Sequence, residues 1–136
     1  MRMASFERDF WQLRSAEDSH RENPNTFSIP PIEARQNLKR GDAAKLIFDI
    51  EGYDEDGSIV VGGERMWVII AECVGGAYIG ILDAPPSLEQ SEGVYLRFGA
   101  EIPFRPEHVI EIAKPPTKYV EWQLGQLPER IWPRND

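Results

Sequence analysis

The longest apolar stretches of the chain lie in its central third. Residues 66–71 are apolar at every position, the pair Gly75-Gly76 follows, and residues 77–82 are again apolar apart from one glycine. Two such runs joined by a glycine pair predict a β-hairpin spanning residues 65–83. Because the first strand is apolar on both faces, we expect it to be central in a sheet, with its second face covered by another element.

Alternating apolar and polar residues mark the other expected strands. The alternation at residues 44–51 predicts a half-buried strand before the hairpin, and residues 94–98 and 109–112 continue the pattern after it. The segment at 87–92 is expected to be a crossover between strands. The sequence therefore predicts about five short, mostly antiparallel strands between residues 42 and 112.

Helical spacing is found near the start of the chain. Phe6, Phe10 and Leu13 recur at intervals of three or four residues, and charged residues fill the other faces. This pattern predicts one amphipathic helix over residues 5–21, ended by Pro24, which could cover the second face of the hairpin. The expected fold class is α+β, with a small, strongly bent antiparallel sheet or SH3-like half-barrel and an N-terminal amphipathic helix.

The length of the chain supports one domain. Its 136 residues, of which 41% are hydrophobic, can bury one core but are too few for two ordinary domains. We expect this domain to occupy residues 1–113. Residues 114–136 begin with Lys114-Pro115-Pro116 and include Trp122 and Trp132. Exposed tryptophans promote aggregation, so we expect this tail to dock on the domain, the alternative being an interaction peptide.

Charge limits the classes of partner. The net charge of −8 and the pI of about 4.8 oppose binding to nucleic acid, which depends on Lys and Arg. A basic protein is the electrostatically favoured partner, although acidity can also serve solubility alone. The single cysteine excludes an internal disulfide, and no stretch approaches the roughly 18 apolar residues of a membrane span. We therefore expect a cytoplasmic protein that does not enter membranes; no oligomeric state is indicated.

The negative charge is concentrated in residues 41–64, which contain seven acidic residues and Lys45 as the single basic residue, a local charge of −6. We predict that a partner-binding surface forms here from the carboxylates and two neighbouring aromatic residues. The predicted surface comprises Asp49, Glu51, Asp54, Glu55, Asp56, Trp67 and Tyr78.

Calcium binding is the obvious alternative for a run of carboxylates, but the spacing opposes it. With Gly57 at the glycine position of an EF-hand loop, Gly52 and Gly63 fall where the first and last ligands belong. The chain also contains no phosphate-binding glycine motif. We expect neither a metal nor a cofactor.

An enzyme would have to draw on Cys73, His108 and Asp83. Cys73 shares the alternation of Trp67 and Ile69, where a free cysteine behaves as a small apolar residue, so we expect it to be buried and structural. His108 follows a proline at the entrance to the last strand and can serve a turn. No nucleophile and base are paired by spacing, and we expect no catalytic residues and no enzymatic activity.

Five segments carry recognisable motifs. They are Asn23-Pro24-Asn25-Thr26-Phe27-Ser28-Ile29-Pro30, Gly41-Asp42 with Lys45-Leu46-Ile47-Phe48, Glu64-Arg65-Met66-Trp67-Val68, Tyr78-Ile79-Gly80-Ile81-Leu82-Asp83, and Phe104-Arg105-Pro106-Glu107-His108-Val109-Ile110. Together, over residues 23–112, they resemble an uncharacterised bacterial family described as a domain of unknown function. Some similar small domains stand beside polymorphic-toxin genes as immunity proteins, which is what the resemblance implies here. Ala84 replaces the Asn usual in such domains, so no ligand contact by that amide is expected.

Two functions follow as hypotheses. The first is a non-enzymatic protein-binding domain, in its most concrete form an immunity or antitoxin-like protein that masks a basic site on a toxin-like partner. The alternative is a small-ligand-binding or regulatory domain that uses a groove beside Trp67 and Tyr78.

Overall fold

The computed structural model describes residues 1–87 and 95–135. Within these residues it contains both helices and one antiparallel sheet, as in an α+β fold. The helices are α1 (Phe6–Asp9), α2 (Ala16–Glu22), α3 (Ile32–Gln36) and α4 (Thr117–Leu124), with a 3-10 turn at Pro106–His108. The strands are β1 (Trp11–Leu13), β2 (Ala43–Tyr53), β3 (Ile59–Val74), β4 (Ala77–Leu82), β5 (Glu101–Phe104) and β6 (Val109–Ala113).

The strands form one antiparallel sheet in the order β1-β2-β3-β4-β5. Strand β3 occupies one edge of β2 along its whole length. The opposite edge is shared end to end by β1, which pairs with residues 48–50, and β6, which pairs with residues 43–46. The sheet curls into a half-barrel, which confirms the predicted α+β class and the strongly bent sheet.

The central hairpin forms as predicted, from β3 and β4. Val68 and Ile70 point into the core, and Gly75 and Gly76 make the turn with φ of +52° and +84°, a conformation that favours glycine. Trp67 points to the opposite, outer face, where it is only partly buried and the Lys45 ammonium lies 5.0 Å from its ring centroid. The second face of β3 is therefore less completely covered than the apolar run predicts.

An N-terminal helix is present, but the continuous helix predicted over residues 5–21 is wrong. Helix α1 ends at Asp9; the next residue, Phe10, has a left-handed φ of +67°, and β1 follows before α2 begins. Ser5 and Ser15 each cap a separate short helix, accepting a hydrogen bond from a backbone N–H three residues later. Between them, Trp11 inserts into the core while its strand pairs with β2, and these tertiary contacts outweigh helical spacing.

The region after the hairpin also differs from the prediction. The strand predicted at 94–98 is absent over its described part, residues 95–98, where Leu96 is nevertheless buried; Val94 lies outside the described residues, as does most of the predicted crossover at 87–92. Strand β5 was not predicted because it contains Pro103. Among the described strands it pairs with β4 alone, and on its other side the Glu101 amide donates to the Arg130 carbonyl at 3.0 Å. An edge strand tolerates proline.

Part of the C-terminal segment lies within the core. Trp132 is 2% exposed, and its ring centroid lies 6.0 Å from that of Trp11 and 5.2 Å from that of Tyr95. Trp122, on α4, is 49% exposed. The two tryptophans of this segment thus have different environments. Nowhere in the described residues is a helix both long and apolar enough to span a membrane.

Candidate functional site

The β2–β3 hairpin extends beyond the rest of the sheet. Pairing between the two strands continues to Tyr53 and Ile59, whereas β1 reaches only Ile50 and β4 pairs with β3 only from Val68 onward. Residues 51–63, which we call the distal hairpin, are therefore a two-stranded ribbon among the described residues. One face of this ribbon is exposed and the other is partly covered, since Gly52 is buried and the Glu51 amide donates to the Phe10 carbonyl at 2.9 Å.

The tip of the distal hairpin is a closed turn that carries three exposed carboxylates. The Asp54 amide donates to the Ser58 carbonyl at 2.9 Å, and Gly57, with φ of +85°, donates to the Asp54 carbonyl at 3.0 Å. The Ser58 amide also donates to Asp56 Oδ1 at 2.9 Å, and hydrogen bonding by Ser58 lowers the pKa of the Asp56 carboxyl. Asp54, Glu55 and Asp56 thus form a compact negative group on a defined turn.

The other two predicted carboxylates are separated from the tip. Asp49 accepts hydrogen bonds from the Arg14 guanidinium, the closer at 2.6 Å, so its charge is compensated. Arg14 lies so close to Gly63 that a Cβ there would be 2.7 Å from its Nη2. Glu51, opposite Val61, is partly exposed on the strand below the tip. The structure therefore brings four of the five carboxylates onto the distal hairpin and pairs the fifth with a cation.

The apolar residues of this surface were not predicted from the sequence. Tyr53, Ile59 and Val61 are exposed by 49%, 68% and 58%. Tyr53 pairs with Ile59, and Val61 pairs with Glu51, so all lie on one face of the ribbon, which we call the distal face. The apolar run Ile59-Val60-Val61 before two glycines was the indication that the sequence offered. An apolar face directly below three carboxylates is the composition of a protein-binding surface.

The two predicted aromatic residues do not join this surface. Tyr78 is 4% exposed, and its hydroxyl donates to the Arg35 carbonyl at 2.8 Å and accepts from the Leu38 amide at 3.3 Å. Burial raises the pKa of Tyr78. Trp67 lies on the outer face of the sheet, eight positions along β3 from Ile59, or about 26 Å. No groove contains both aromatic rings, because they lie on opposite faces of the sheet.

The residues considered for catalysis each bond to different partners. Cys73 is exposed, so the prediction that it is buried is wrong; its thiol donates a weak hydrogen bond of 3.6 Å to the Leu38 carbonyl. Asp83 accepts hydrogen bonds from Tyr119 at 2.5 Å and Gln123 at 2.8 Å. The bond to Asp83 raises the pKa of Tyr119 to about 12.

His108 is buried in the 3-10 turn before β6. Its Nδ1 accepts a hydrogen bond of 2.9 Å from the Arg105 amide, and burial lowers its pKa to about 4. The ring is therefore neutral at neutral pH, and its contact of 3.6 Å with Glu107 is not an ion pair. A neutral, buried histidine bonded to a turn can serve a structural role, and the described contacts of His108 do not include Cys73 or Asp83.

The described part of the chain offers little for a metal ion and a small cleft for a ligand. Residues 1–87 and 95–135 hold no cluster of three or more His, Cys, Asp or Glu side chains arranged for a metal ion. A cleft of about 240 Å³ lies between α4 and the turn at Gly99, lined in part by Phe98, Trp122 and Leu127. Ligand pockets usually measure roughly 300–1,000 Å³, so this cleft is small.

Comparison with known proteins adds no functional information. No protein-family model, curated protein or solved structure matches this chain. The resemblance to a family with immunity proteins among its members therefore stays a prediction, and functional inference rests on the geometry of the distal hairpin.

Proposed function

We propose that this chain is a non-enzymatic, cytoplasmic protein that binds and masks a basic site on a partner protein, most concretely as an immunity or antitoxin-like protein. The observation that carries the proposal is the distal hairpin, where Asp54, Glu55 and Asp56 stand above the exposed apolar face of Tyr53, Ile59 and Val61. The resemblance stated from the sequence points to the same role.

The two parts of the surface would have different tasks. Charges at the exposed tip attract a basic partner over a distance and raise the association rate, but exposed ion pairs contribute little affinity once formed. Affinity would come from covering Tyr53, Ile59 and Val61, since buried apolar area contributes about 25 cal/mol per Å² before the costs of association. The expected partner site is thus an apolar patch rimmed by Lys and Arg. The net charge of −8 disfavours nucleic acid as the occupant.

The test is to neutralise the tip with the triple variant Asp54→Asn, Glu55→Gln, Asp56→Asn. The amide oxygens can still accept the turn hydrogen bonds, so the melting temperature should be unchanged or slightly higher as like charges are removed. Wild type and variant are used side by side for affinity capture from the native cell. The captured basic protein is then studied by stopped-flow kinetics, where the variant should associate more slowly, with a flatter dependence on salt.

A matched control changes the same amount of charge elsewhere. Glu22, Glu33 and Glu121 are exposed on three different helices, and their replacement by Gln removes three carboxylates without altering the tip. The control should retain a rate and salt dependence close to those of wild type. Equal slowing by the two variants would show that only net charge matters, and no slowing by the tip variant would refute the proposed masking.

Binding of a small ligand is the second candidate, at a different place from the one predicted. The cleft of about 240 Å³ places Trp122 near Phe98 and Leu127, which favours a small apolar or aromatic molecule. A panel of metabolites would be screened for an increase in melting temperature. Leu127 is 91% exposed, so Leu127→Glu should preserve folding while abolishing any shift that depends on the cleft.

A further inference from the structure

We propose that a depression between α2, α3 and the loop joining them binds a small α-amino acid with an apolar side chain. Its volume is about 490 Å³, within the range of roughly 300–1,000 Å³ that is usual for ligand pockets. It is lined by Glu17, His20, Arg21, Pro24, Ile29 and Arg35. These residues lie outside the distal hairpin and outside the cleft beside α4, so the inference is independent of the proposed function.

Arg35 is the buried cation of this depression. Its side chain is 6% exposed, and Nε donates to the Pro30 carbonyl at 2.8 Å. Nη1 donates to Glu17 Oε2 at 2.8 Å and to the Pro106 carbonyl at 2.9 Å. Within the described part of the chain Nη2 makes no hydrogen bond, and it is not fully buried, so it reaches solvent. An arginine held in place in this way can bind a carboxylate through its remaining nitrogen.

Glu17 supplies the matching negative charge. Its side chain is 36% exposed, and Oε2 accepts the bond from Arg35 Nη1, whereas Oε1 has no hydrogen bond within residues 1–87 and 95–135. Because one Glu17 oxygen already meets one Arg35 nitrogen, Oε1 and Nη2 flank that bond. An α-amino acid carries its ammonium and its carboxylate on one carbon, so it can place the ammonium at Oε1 and the carboxylate at Nη2.

The charges around the depression favour a ligand that carries both signs. Arg21 Nη1 donates to Asp18 Oδ1 at 2.7 Å, so these two charges compensate each other. Arg35 and Glu17 compensate each other in the same way, and the net charge of −8 opposes a free anion. A zwitterion satisfies Arg35 and Glu17 together, whereas a simple carboxylate or a simple amine satisfies one of them and is repelled by the other.

The remaining lining residues define the rest of the ligand. Pro24 and Ile29 contribute apolar surface, so an apolar ligand side chain is expected. His20 Nδ1 donates to the Phe27 carbonyl at 2.6 Å, which orients the ring. When the ring is neutral, its Nε2 can accept a further hydrogen bond from the ligand ammonium. The expected ligands are therefore amino acids such as leucine, valine and methionine.

The probes are L-leucine and two analogues that each lack one charge. Isocaproate lacks the ammonium and isoamylamine lacks the carboxylate. In NMR titrations of the wild-type protein, leucine should shift the amide resonances of Glu17, Arg21 and Arg35 saturably. Each analogue should bind about tenfold or more weakly, as expected for loss of a charge-assisted hydrogen bond. An analogue that binds as tightly as leucine, or shifts confined to other parts of the chain, would overturn the proposal. So would the absence of saturable shifts with L-leucine, L-valine and L-methionine alike.

The variant Glu17→Gln separates ligand binding from a structural role. The Gln oxygen can still accept the 2.8 Å bond from Arg35, but the charge that holds the ammonium is removed. Leucine should then bind about tenfold more weakly. Isocaproate should bind at least as tightly as to wild type, because its carboxylate no longer meets a like charge.

A purely structural effect of Glu17→Gln would weaken both ligands together. Weakening of both at an unchanged melting temperature, or unchanged binding of leucine, would overturn the proposal. If the variant is less stable, the analogue series on wild type decides the question. Glu22→Gln is the matched control, because Glu22 is exposed on the same helix and does not line the depression. It should bind leucine and isocaproate as wild type does.

Discussion

Trp132 and Arg2 are joined twice, although 130 positions separate them in the sequence. The Trp132 indole Nε1 donates to the Arg2 carbonyl at 3.0 Å, and the Arg2 guanidinium carbon lies 4.3 Å from the centroid of the Trp132 ring. The Trp132 amide in turn donates to Glu101 at 2.9 Å, and Glu101 also accepts from Arg134 at 2.5 Å. Although burial raises the pKa of Glu101, these bonds outweigh it and lower the pKa overall.

Trp132→Ala should therefore destabilise the fold severely. The side chain is 2% exposed and packs against Trp11 and Tyr95, and truncating a buried tryptophan costs about 3–5 kcal/mol. That is a large part of the stability of a small domain. Urea unfolding followed by circular dichroism measures the loss.

Trp122→Ala is the matched control, since Trp122 is 49% exposed in the same C-terminal segment. Its cost should be about 1 kcal/mol or less, as is usual for surface positions. Equal costs for the two substitutions would contradict the docking of Trp132 in the core.

The sequence predicted those parts of the fold that depend on local alternation. Strands β2 and β4 and the core face of β3 have apolar patterns that match their burial, and the glycine pair 75–76 marks the turn between β3 and β4 correctly. The segment at 5–21 could not be predicted in this way, because pairing of β1 with residues 48–50 of β2 decides its structure. Strand β5 was not predicted because it contains Pro103, and a strand tolerates proline mainly when it lies at the edge of a sheet.

The candidate site, like the fold, could be predicted only where it depends on local sequence. The tip carboxylates could be identified from charge density alone, because a polar turn exposes whatever it contains. The pairing of Asp49 with Arg14 joins residues 35 positions apart and has no local pattern. Which face Trp67 and Tyr78 occupy depends on the register of β3 and β4, since a shift of one residue exchanges the faces of a strand.

Trp67→Ala should cost less than the loss of a core tryptophan. Trp67 is partly exposed on the outer face. Among the described contacts, its removal loses packing and the contact with the Lys45 ammonium at 5.0 Å, of a kind worth about 0.5–1 kcal/mol at exposed sites. We expect about 1–2 kcal/mol in total by urea unfolding. A loss as large as that from Trp132→Ala would mean that Trp67 is buried in solution. Lys45→Met, which keeps much of the stem, should reproduce the charge-dependent part together with the loss of the Lys45 ion pair with Glu111 at 3.3 Å.

Cys73 should react with a thiol reagent in the folded protein. Its side chain is exposed, and its one described hydrogen bond, to the Leu38 carbonyl at 3.6 Å, is weak. Labelling with Ellman's reagent at mildly alkaline pH should therefore proceed under native conditions, at a rate within about tenfold of that in denaturant. Cys73→Ser removes the signal and serves as the control. Labelling only after unfolding would show that the thiol is buried.

His108 should make stability depend on pH. Burial lowers its folded pKa to about 4, with Arg105 acting in the same direction and Glu17 opposing, whereas the ordinary value is 6.5. Between these values the unfolded state binds a proton that the folded state excludes. The contribution of His108 is thus constant above pH 6.5 and unfavourable as pH falls toward 4, reaching at most about 3 kcal/mol.

The variant His108→Gln isolates this effect, because the Gln oxygen can accept the 2.9 Å hydrogen bond from the Arg105 amide and does not titrate. Urea unfolding of both proteins across the window from pH 6.5 to 4 gives the difference in their free energies of unfolding. Carboxylates shared by the two proteins cancel in that difference. Wild type should lose more stability than the variant as pH falls, by about 2–3 kcal/mol over the window. Parallel pH profiles would show that the imidazole is equally accessible to protons in the folded and unfolded states, and would contradict its burial beneath the 3-10 turn.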